Sequence, residues 1–347
     1  MRIGITLSKL VVVTLLLMAP ALLMAQRPAT IGATMSQTGK YADFGIEALQ
    51  GLEMFVSDLN GRGGSGGLKV NLIVYDDESD RETAARLYEK LIVEDKVDFL
   101  VGPYGTPLTL AATEVAERYD MPIVVTGSAL SIFERGMRNV FGLYTPAPDI
   151  MRPVVDIARE KGLRRIAMAY ADNEAPTSMA EGVRVLTESA DLDLVLDESY
   201  DRNNMAAGDF DGLIARMAAA QPDVVIFGSY INDSAGLLKA AKAADFAPDI
   251  MVFSYGPALS EFGPLVGEAN AQGVMATSQW QRGQHMPGAF AFSFRFKKLT
   301  GRNASYPAAG AYASGQVIEA AARLAASVGK PRDKEEIRNQ LRTMSFR

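Results

Sequence analysis

The sequence predicts an α/β protein of two lobes, each a doubly wound parallel sheet, with the chain crossing between them more than once. Three observations predict it. Short apolar, β-branched runs alternate with longer amphipathic ones between residues 29 and 328, and strands alternating with helices build parallel sheets. The strand runs are apolar on both faces, as sheets covered by helices on both sides require. The alternation breaks at residues 144–149 (Y-T-P-A-P-D), where two prolines interrupt it, and a second β/α series then begins.

The 347-residue chain opens on a leader pattern. Arg2 and Lys9 form a basic start, residues 10–18 are apolar apart from Thr14, and small residues follow at Ala19, Ala21 and Ala25. This is the layout of a secretory signal peptide over residues 1–25, with cleavage expected after Ala21 or Ala25. The apolar stretch is short for a membrane span, which takes about 20 residues. Without the leader the formal charge moves from −6 to −8. That acidic balance argues against nucleic-acid binding, which needs a basic footprint. Cysteine is absent, which excludes disulfides, thiolate nucleophiles, cysteine–metal sites and lipid attachment at the leader. About 320 mature residues, in a chain that is 48% hydrophobic, can bury a sufficient core, and the length favours two domains over one.

In chain order, the β-branched runs place strands at 29–35, 69–75, 99–101, 123–126, 166–170, 192–200, 224–228, 250–254 and 273–277. The amphipathic runs place helices at 45–60, 81–94, 108–118, 151–161, 178–189, 210–220, 234–243, 289–300 and 308–328. The glycine-rich tract at 61–67 reads as a helix-to-strand loop, and the rhythm changes again near 277–281. Crossovers between two similar lobes suit hinge closure around a ligand.

Several motifs fail on context. Gly61-Arg-Gly-Gly-Ser-Gly66 matches G-x-G-x-x-G, yet it follows a helix and precedes a strand, the reverse of a dinucleotide site. Residues 34–40 end in Gly-Lys like a phosphate loop but lack the leading glycine, and Tyr41 stands where Ser or Thr belongs. His285 is the only histidine and sits in a polar loop, so a catalytic triad or a zinc site has little to draw on. The carboxylates Asp76, Asp77, Glu78 and Asp80 lack the spacing of a calcium loop and read as solvated helix-start acids. No catalytic residue, metal site or cofactor is expected, and the chain is not read as an enzyme.

Two strand-end turns carry more information. Val101-Gly-Pro-Tyr-Gly-Thr-Pro107 ends a strand and begins a helix, with Thr106 suited to the N-cap and Pro107 to the first helical position. Gly102 and Gly105 permit close backbone approach to a ligand, and the helix start offers N–H groups to an anion. One unit later, Val125-Thr-Gly-Ser-Ala129 repeats the arrangement, with hydroxyls on Thr126 and Ser128 and N–H groups along Gly127, Ser128 and Ala129. Adjacent strand ends of this kind converge on one crevice, here expected to take a carboxylate. Tyr230 and Tyr255 end strands of the second lobe and Trp280 lies just past another. Each fits either a ligand wall or the core.

These stretches resemble a known family. S-Q-T-G-K-Y-A-D-F-G-I-E-A-L-Q-G, Y-D-D-E-S-D-R-E-T-A-A-R-L-Y-E-K-L-I, V-D-F-L-V-G-P-Y-G-T, M-P-I-V-V-T-G-S-A and A-G-A-Y-A-S-G-Q-V-I-E-A-A are similar to the periplasmic solute-binding proteins of ABC importers, in the branch of the leucine/isoleucine/valine-binding proteins. The resemblance spans roughly residues 28–330. It implies the type I periplasmic binding fold, two Rossmann-like lobes joined by three crossovers. Lobe I would take 28–145 and 278–330, and lobe II 146–277 and 331–347.

The resemblance also implies a solute held by the Gly105-Thr106 turn and the Ser128-Ala129 loop. Phe44 would stand near the opening and Tyr104 in the apolar wall, with Tyr230 and the position of Ala175 in the second lobe. Amino-acid binders of this branch usually place an acid where this chain has Tyr255 and Gly256, and Glu261 is offset. That weakens an α-amino-acid ligand and leaves an amide or a small carboxylate. The family's first-lobe disulfide is impossible here. Relatives also usually continue past Arg347, so a truncated tail is expected. The implied partners are a small-molecule solute and an inner-membrane ABC permease, for a monomeric periplasmic protein. The alternative is a ligand-sensing module docking on a transmembrane receptor. An exported hydrolase lacks a nucleophile–base set.

Overall fold

The structure, a computed structural model, describes residues 28–64, 69–202, 209–283 and 286–345. The leader, His285 and part of the 61–67 tract lie outside the described residues. Two five-stranded parallel sheets form the two lobes. The first contains β1 (Ala29–Thr34), β2 (Val70–Tyr75), β3 (Phe99–Val101), β4 (Ile123–Val125) and β5 (Val140–Gly142), in the order β2-β1-β3-β4-β5. The second contains β6 (Arg165–Ala171), β7 (Asp193–Tyr200), β8 (Val224–Gly228), β9 (Ile250–Phe253) and β10 (Met275–Ala276), in the order β10-β9-β8-β6-β7.

Every strand pair is parallel, which demands a crossover after each strand. In the first lobe these include α1 (Ala42–Gly61), α2 (Arg81–Val93) and α3 (Thr106–Arg118). In the second they include α5 (Glu174–Ser189), α6 (Asp209–Ala219) and α7 (Ile231–Ala243), entered through α4 (Arg152–Lys161). Two short helices, α8 (Phe262–Val266) and α9 (Glu268–Ala271), precede β10. The chain then returns to the first lobe with α10 (Ala289–Thr300), α11 (Tyr306–Ser327) and α12 (Lys334–Thr343).

Three details depart from the sequence expectations. β5 escapes a pattern reading because it is a three-residue edge strand with no fully buried side chain. α12 was expected with the second lobe, but it packs against the first. Arg338 is buried, donates to Asn139 Oδ1 at 2.7 Å and pairs with Asp120, tying this helix to the β4–β5 end of the first sheet. Among the described residues the chain crosses between lobes twice, near 144–149 and near 277–280, where the resemblance implies three crossings. The two crossing segments clasp each other: Thr145 N donates to Gln279 Oε1 at 2.9 Å and Gln279 Nε2 donates back to Thr145 O at 3.0 Å.

α1 positions much of the rest. It crosses α11 so closely that a Cβ on Gly51 would lie 2.1 Å from the Ala308 carbonyl oxygen. Only a residue without a side chain fits there. On the same helix, Glu47 is fully buried. It accepts from the Ser305 hydroxyl in the first lobe and from Ser260 Oγ of the second lobe at 3.4 Å. Beside it Arg302 binds Gln50 and Glu261, each near 3 Å. Burial raises the Glu47 carboxyl from 4.5 to about 7. The Ser305 hydroxyl, Arg302 and the Ser260 hydroxyl oppose the rise and Glu261 adds to it.

Two outcomes follow from α1. Gly51→Ala should destabilise the fold by about 1–3 kcal/mol through overpacking at the α1–α11 crossing, read from urea unfolding midpoints. For Glu47, the folded state holds its proton more tightly than the unfolded chain, so its contribution is intact below the unfolded pKa and erodes as pH rises through about 7. The loss is on the order of 3 kcal/mol. Glu47→Gln should therefore gain stability relative to wild type between pH 4.5 and pH 8, and parallel stability–pH curves for the two proteins would contradict this.

Candidate functional site

Both sheets point the C-terminal ends of their strands at one crevice, the place where open α/β sheets bind ligands. The turns after β3 and β4 come from the first lobe, and those after β6, β8 and β9 come from the second. They enclose a cavity of about 30 Å³ lined by Tyr104, Gly105, Thr106, Thr126, Gly127, Ser128, Tyr144, Ala175, Tyr230, Tyr255, Gln279 and Tyr306. The walls meet around it. Leu130 N lies 3.3 Å from Ser178 Oγ of the opposite lobe, and the Phe44 and Tyr230 rings meet edge to face at 6.2 Å.

The first wall is the start of α3. Gly105 is the N-cap, with φ +92, and the helix begins at Thr106 with Pro107 next. Thr106 was expected as the cap itself, and the register differs by one residue. The positive φ at Gly105 explains the shift, because a side chain there is strained and the cap needs no hydroxyl. Thr106 is thereby free of capping and lines the cavity, only 6% exposed. Gly102 serves packing instead of ligand approach, since a Cβ on it would lie 2.7 Å from Val125 Cγ1.

The turn after β4 brings Gly127 and Ser128 to the cavity, while Ala129 is turned away, fully buried beside Ile132. The backbone oxygen of Ser128 accepts from Ala147 N at 2.7 Å, so this turn is anchored to the first crossover.

The second wall is aromatic. Tyr230 and Tyr255 stack with centroids 5.8 Å apart, and Ala175 lies between turn and helix at the start of α5. Tyr255 has φ +43 and ψ −60, a conformation costing a non-glycine residue on the order of 1–3 kcal/mol. Its hydroxyl is buried without a hydrogen-bond partner. Burial pushes its pKa up to about 12, and the nearby Ser128 hydroxyl opposes the rise without completing a hydrogen bond. Tyr255 thus combines a strained backbone with a buried hydroxyl that completes no hydrogen bond.

Phe44 and Gly256 stand behind the lining. Phe44 stacks on Tyr104 at 4.4 Å and supports it from the side away from the cavity. Gly256 is buried, and a Cβ on it would come within 2.4 Å of Ser234 Oγ. Trp280 packs edge-on against Phe292, at 5.4 Å, and also against the core that holds Tyr104 and Tyr230, without lining the cavity.

Two lining tyrosines had no functional reading in the sequence. Tyr306, the first residue of α11, shares a 2.6 Å hydrogen bond with the Tyr104 hydroxyl. Tyr144, read only as part of a linker, donates to the Tyr306 carbonyl at 2.9 Å. Burial holds Tyr104, Tyr144, Tyr230 and Tyr306 well above the ordinary phenol range, so all are neutral. The single signal for Tyr306 was its place at a helix start after Ser305.

The acidic run after β2 also differs from its reading. Asp80 does cap α2, accepting from Thr83 N at 2.7 Å. Asp77, however, is fully buried and accepts from Thr34 Oγ1 at 2.7 Å and Ser36 Oγ at 2.6 Å. It locks the β1 turn to the β2 turn and is no solvated acid. Among the described residues no cluster of His, Cys, Asp and Glu could hold a metal ion.

Comparison with known proteins agrees with this architecture. A Leu/Ile/Val-binding protein homolog of Brucella melitensis is 29% identical over 300 residues, covering 81% of this chain and 74% of the relative. Among solved structures, the branched-chain amino acid substrate-binding protein of Streptococcus pneumoniae in complex with isoleucine superposes with a TM-score of 0.77 at 21% identity, over 92% of this chain and 89% of the other. A solute-binding protein of an ABC transporter from R. palustris, in complex with benzoate, gives 0.76 at 22% identity, over 92% and 87%. The family model described as periplasmic binding protein matches residues 28–347. With two facing parallel-sheet lobes and that match along nearly its whole length, the chain belongs to the periplasmic binding protein family.

Proposed function

We propose that this protein is the periplasmic substrate-binding component of an ABC importer, exported by its leader and acting as a monomer. It captures a small organic solute between the lobes and hands it to an inner-membrane permease. The candidate solutes are a branched-chain or other amino acid, an amide, or a small aromatic or aliphatic carboxylate. The observation that carries this reading is the convergence of Thr106, Ser128 and the strained Tyr255 from opposite lobes on one cavity.

The cavity measures about 30 Å³, whereas ligand sites are typically roughly 300–1,000 Å³. A solute therefore enters only when the lobes part. Closure then follows from contacts made to both lobes, which bias an open–closed equilibrium. The crossing segments clasped through Thr145 and Gln279 are the natural hinge.

A thermal-shift screen with amino acids, amides and small acids should give hits whose stabilisation grows with ligand concentration by mass action. For a hit, Thr106→Ala should weaken binding by about 1–2 kcal/mol in calorimetry, through loss of a hydrogen bond to a charged group. Unchanged affinity would remove Thr106 from the site.

A further inference from the structure

Resting on the capture reading, we infer that the cleft selects a small carboxylate that carries no amino group, with Tyr255 as the residue that sets this choice. Among the described residues no Asp, Glu, Lys, Arg or His lines the cavity. A lining without charge is costly for either sign of ligand, so the sign is decided by what the neutral groups can offer.

They offer donors. Thr106 and Ser128 bring hydroxyls, and the 13-residue helix α3 starts at the cavity with N–H groups that have no acceptor inside the helix. The positive end of its dipole favours an anion. Independently, Tyr255 aims a hydroxyl that is buried and unpartnered into the same space from the other lobe, facing Ser128. A carboxylate satisfies these groups through charge-assisted hydrogen bonds.

An ammonium finds no counterpart. Glu47 is committed to Ser305 and Ser260 behind the wall, and Glu261 pairs with Arg302 at 2.9 Å through one oxygen while its other oxygen is buried without a partner. Asp233 accepts from the Tyr200 hydroxyl at 2.8 Å and from Tyr230 N at 3.1 Å, with Arg202 at 3.4 Å. None of the three lines the cavity. An amino acid would bury its ammonium among neutral rings with no carboxylate to meet it.

Calorimetry of the mature protein with matched pairs tests this: 4-methylpentanoate against leucine, 3-phenylpropanoate against phenylalanine, and benzoate against benzamide. At least one acid should bind, with its amino-acid or amide twin at least about 100-fold weaker. Tyr255→Phe should cut that acid's affinity roughly tenfold while the unliganded protein melts no lower than wild type, since the hydroxyl removed has no partner there. Leucine or phenylalanine binding as tightly as its deaminated twin overturns the inference and leaves the capture reading standing. So does benzamide matching benzoate, or a Tyr255→Phe variant that binds the acid unchanged. If every acid fails while an amino acid or amide binds, the inference again falls alone; if nothing in the panel binds, the capture reading falls with it.

Discussion

Two parallel sheets whose strand ends face each other must dispose of the polar groups that gather there. The turns after parallel strands carry helix starts, and helix starts carry N–H groups with no internal acceptor. In the first lobe these groups meet at Thr106 and Ser128, and the second lobe answers with tyrosine rings. The hydroxyls of Tyr104, Tyr144 and Tyr306 bind each other or the backbone. What is left over is the donor on Tyr255. The architecture of the whole molecule thus concentrates hydrogen-bond donors into one small volume between the lobes.

The geometry of that volume depends on α1. This helix carries Phe44, which backs Tyr104, then Glu47, which joins the lobes, then Gly51, which lets α11 approach. Tyr306 begins α11 and is therefore placed in the cleft by the α1–α11 contact. Packing on the outside of the first lobe and geometry of the site are linked through these two helices. The buried Glu47 couples the same junction to protonation, because its neighbours Ser305, Ser260, Arg302 and Glu261 come from both lobes.

Much of the fold was legible in the residues. Strands such as 99–101 and 224–228 and the helix at 289–300 coincide with the observed elements, because short apolar runs in a covered parallel sheet have few alternatives. β5 and α12 were missed for opposite reasons. β5 is too short and too exposed for a pattern. α12 carried a readable start, Asp333 capping Glu336 N at 2.9 Å, and its attachment to the first lobe depends on Arg338 reaching Asn139, a contact across 199 positions. In the crevice, the turns at 102–106 and 126–129 were readable because small and hydroxyl residues cluster at strand ends. Gly256 and Ala129 share that local chemistry yet stand behind the lining, as does Phe44 on α1.

By itself the sequence determined the α/β class, the two series of β/α units and the two first-lobe turns, since these rest on local pattern and on residue type. Only the tertiary structure decided which side chains share the cavity. Tyr144 and Tyr306 lie 162 positions apart and meet through a hydrogen bond and an edge-to-face ring contact. The isolation of the Tyr255 hydroxyl is a statement about everything around it. Periodicity reports which face of an element is buried, and it carries no information about which buried faces meet.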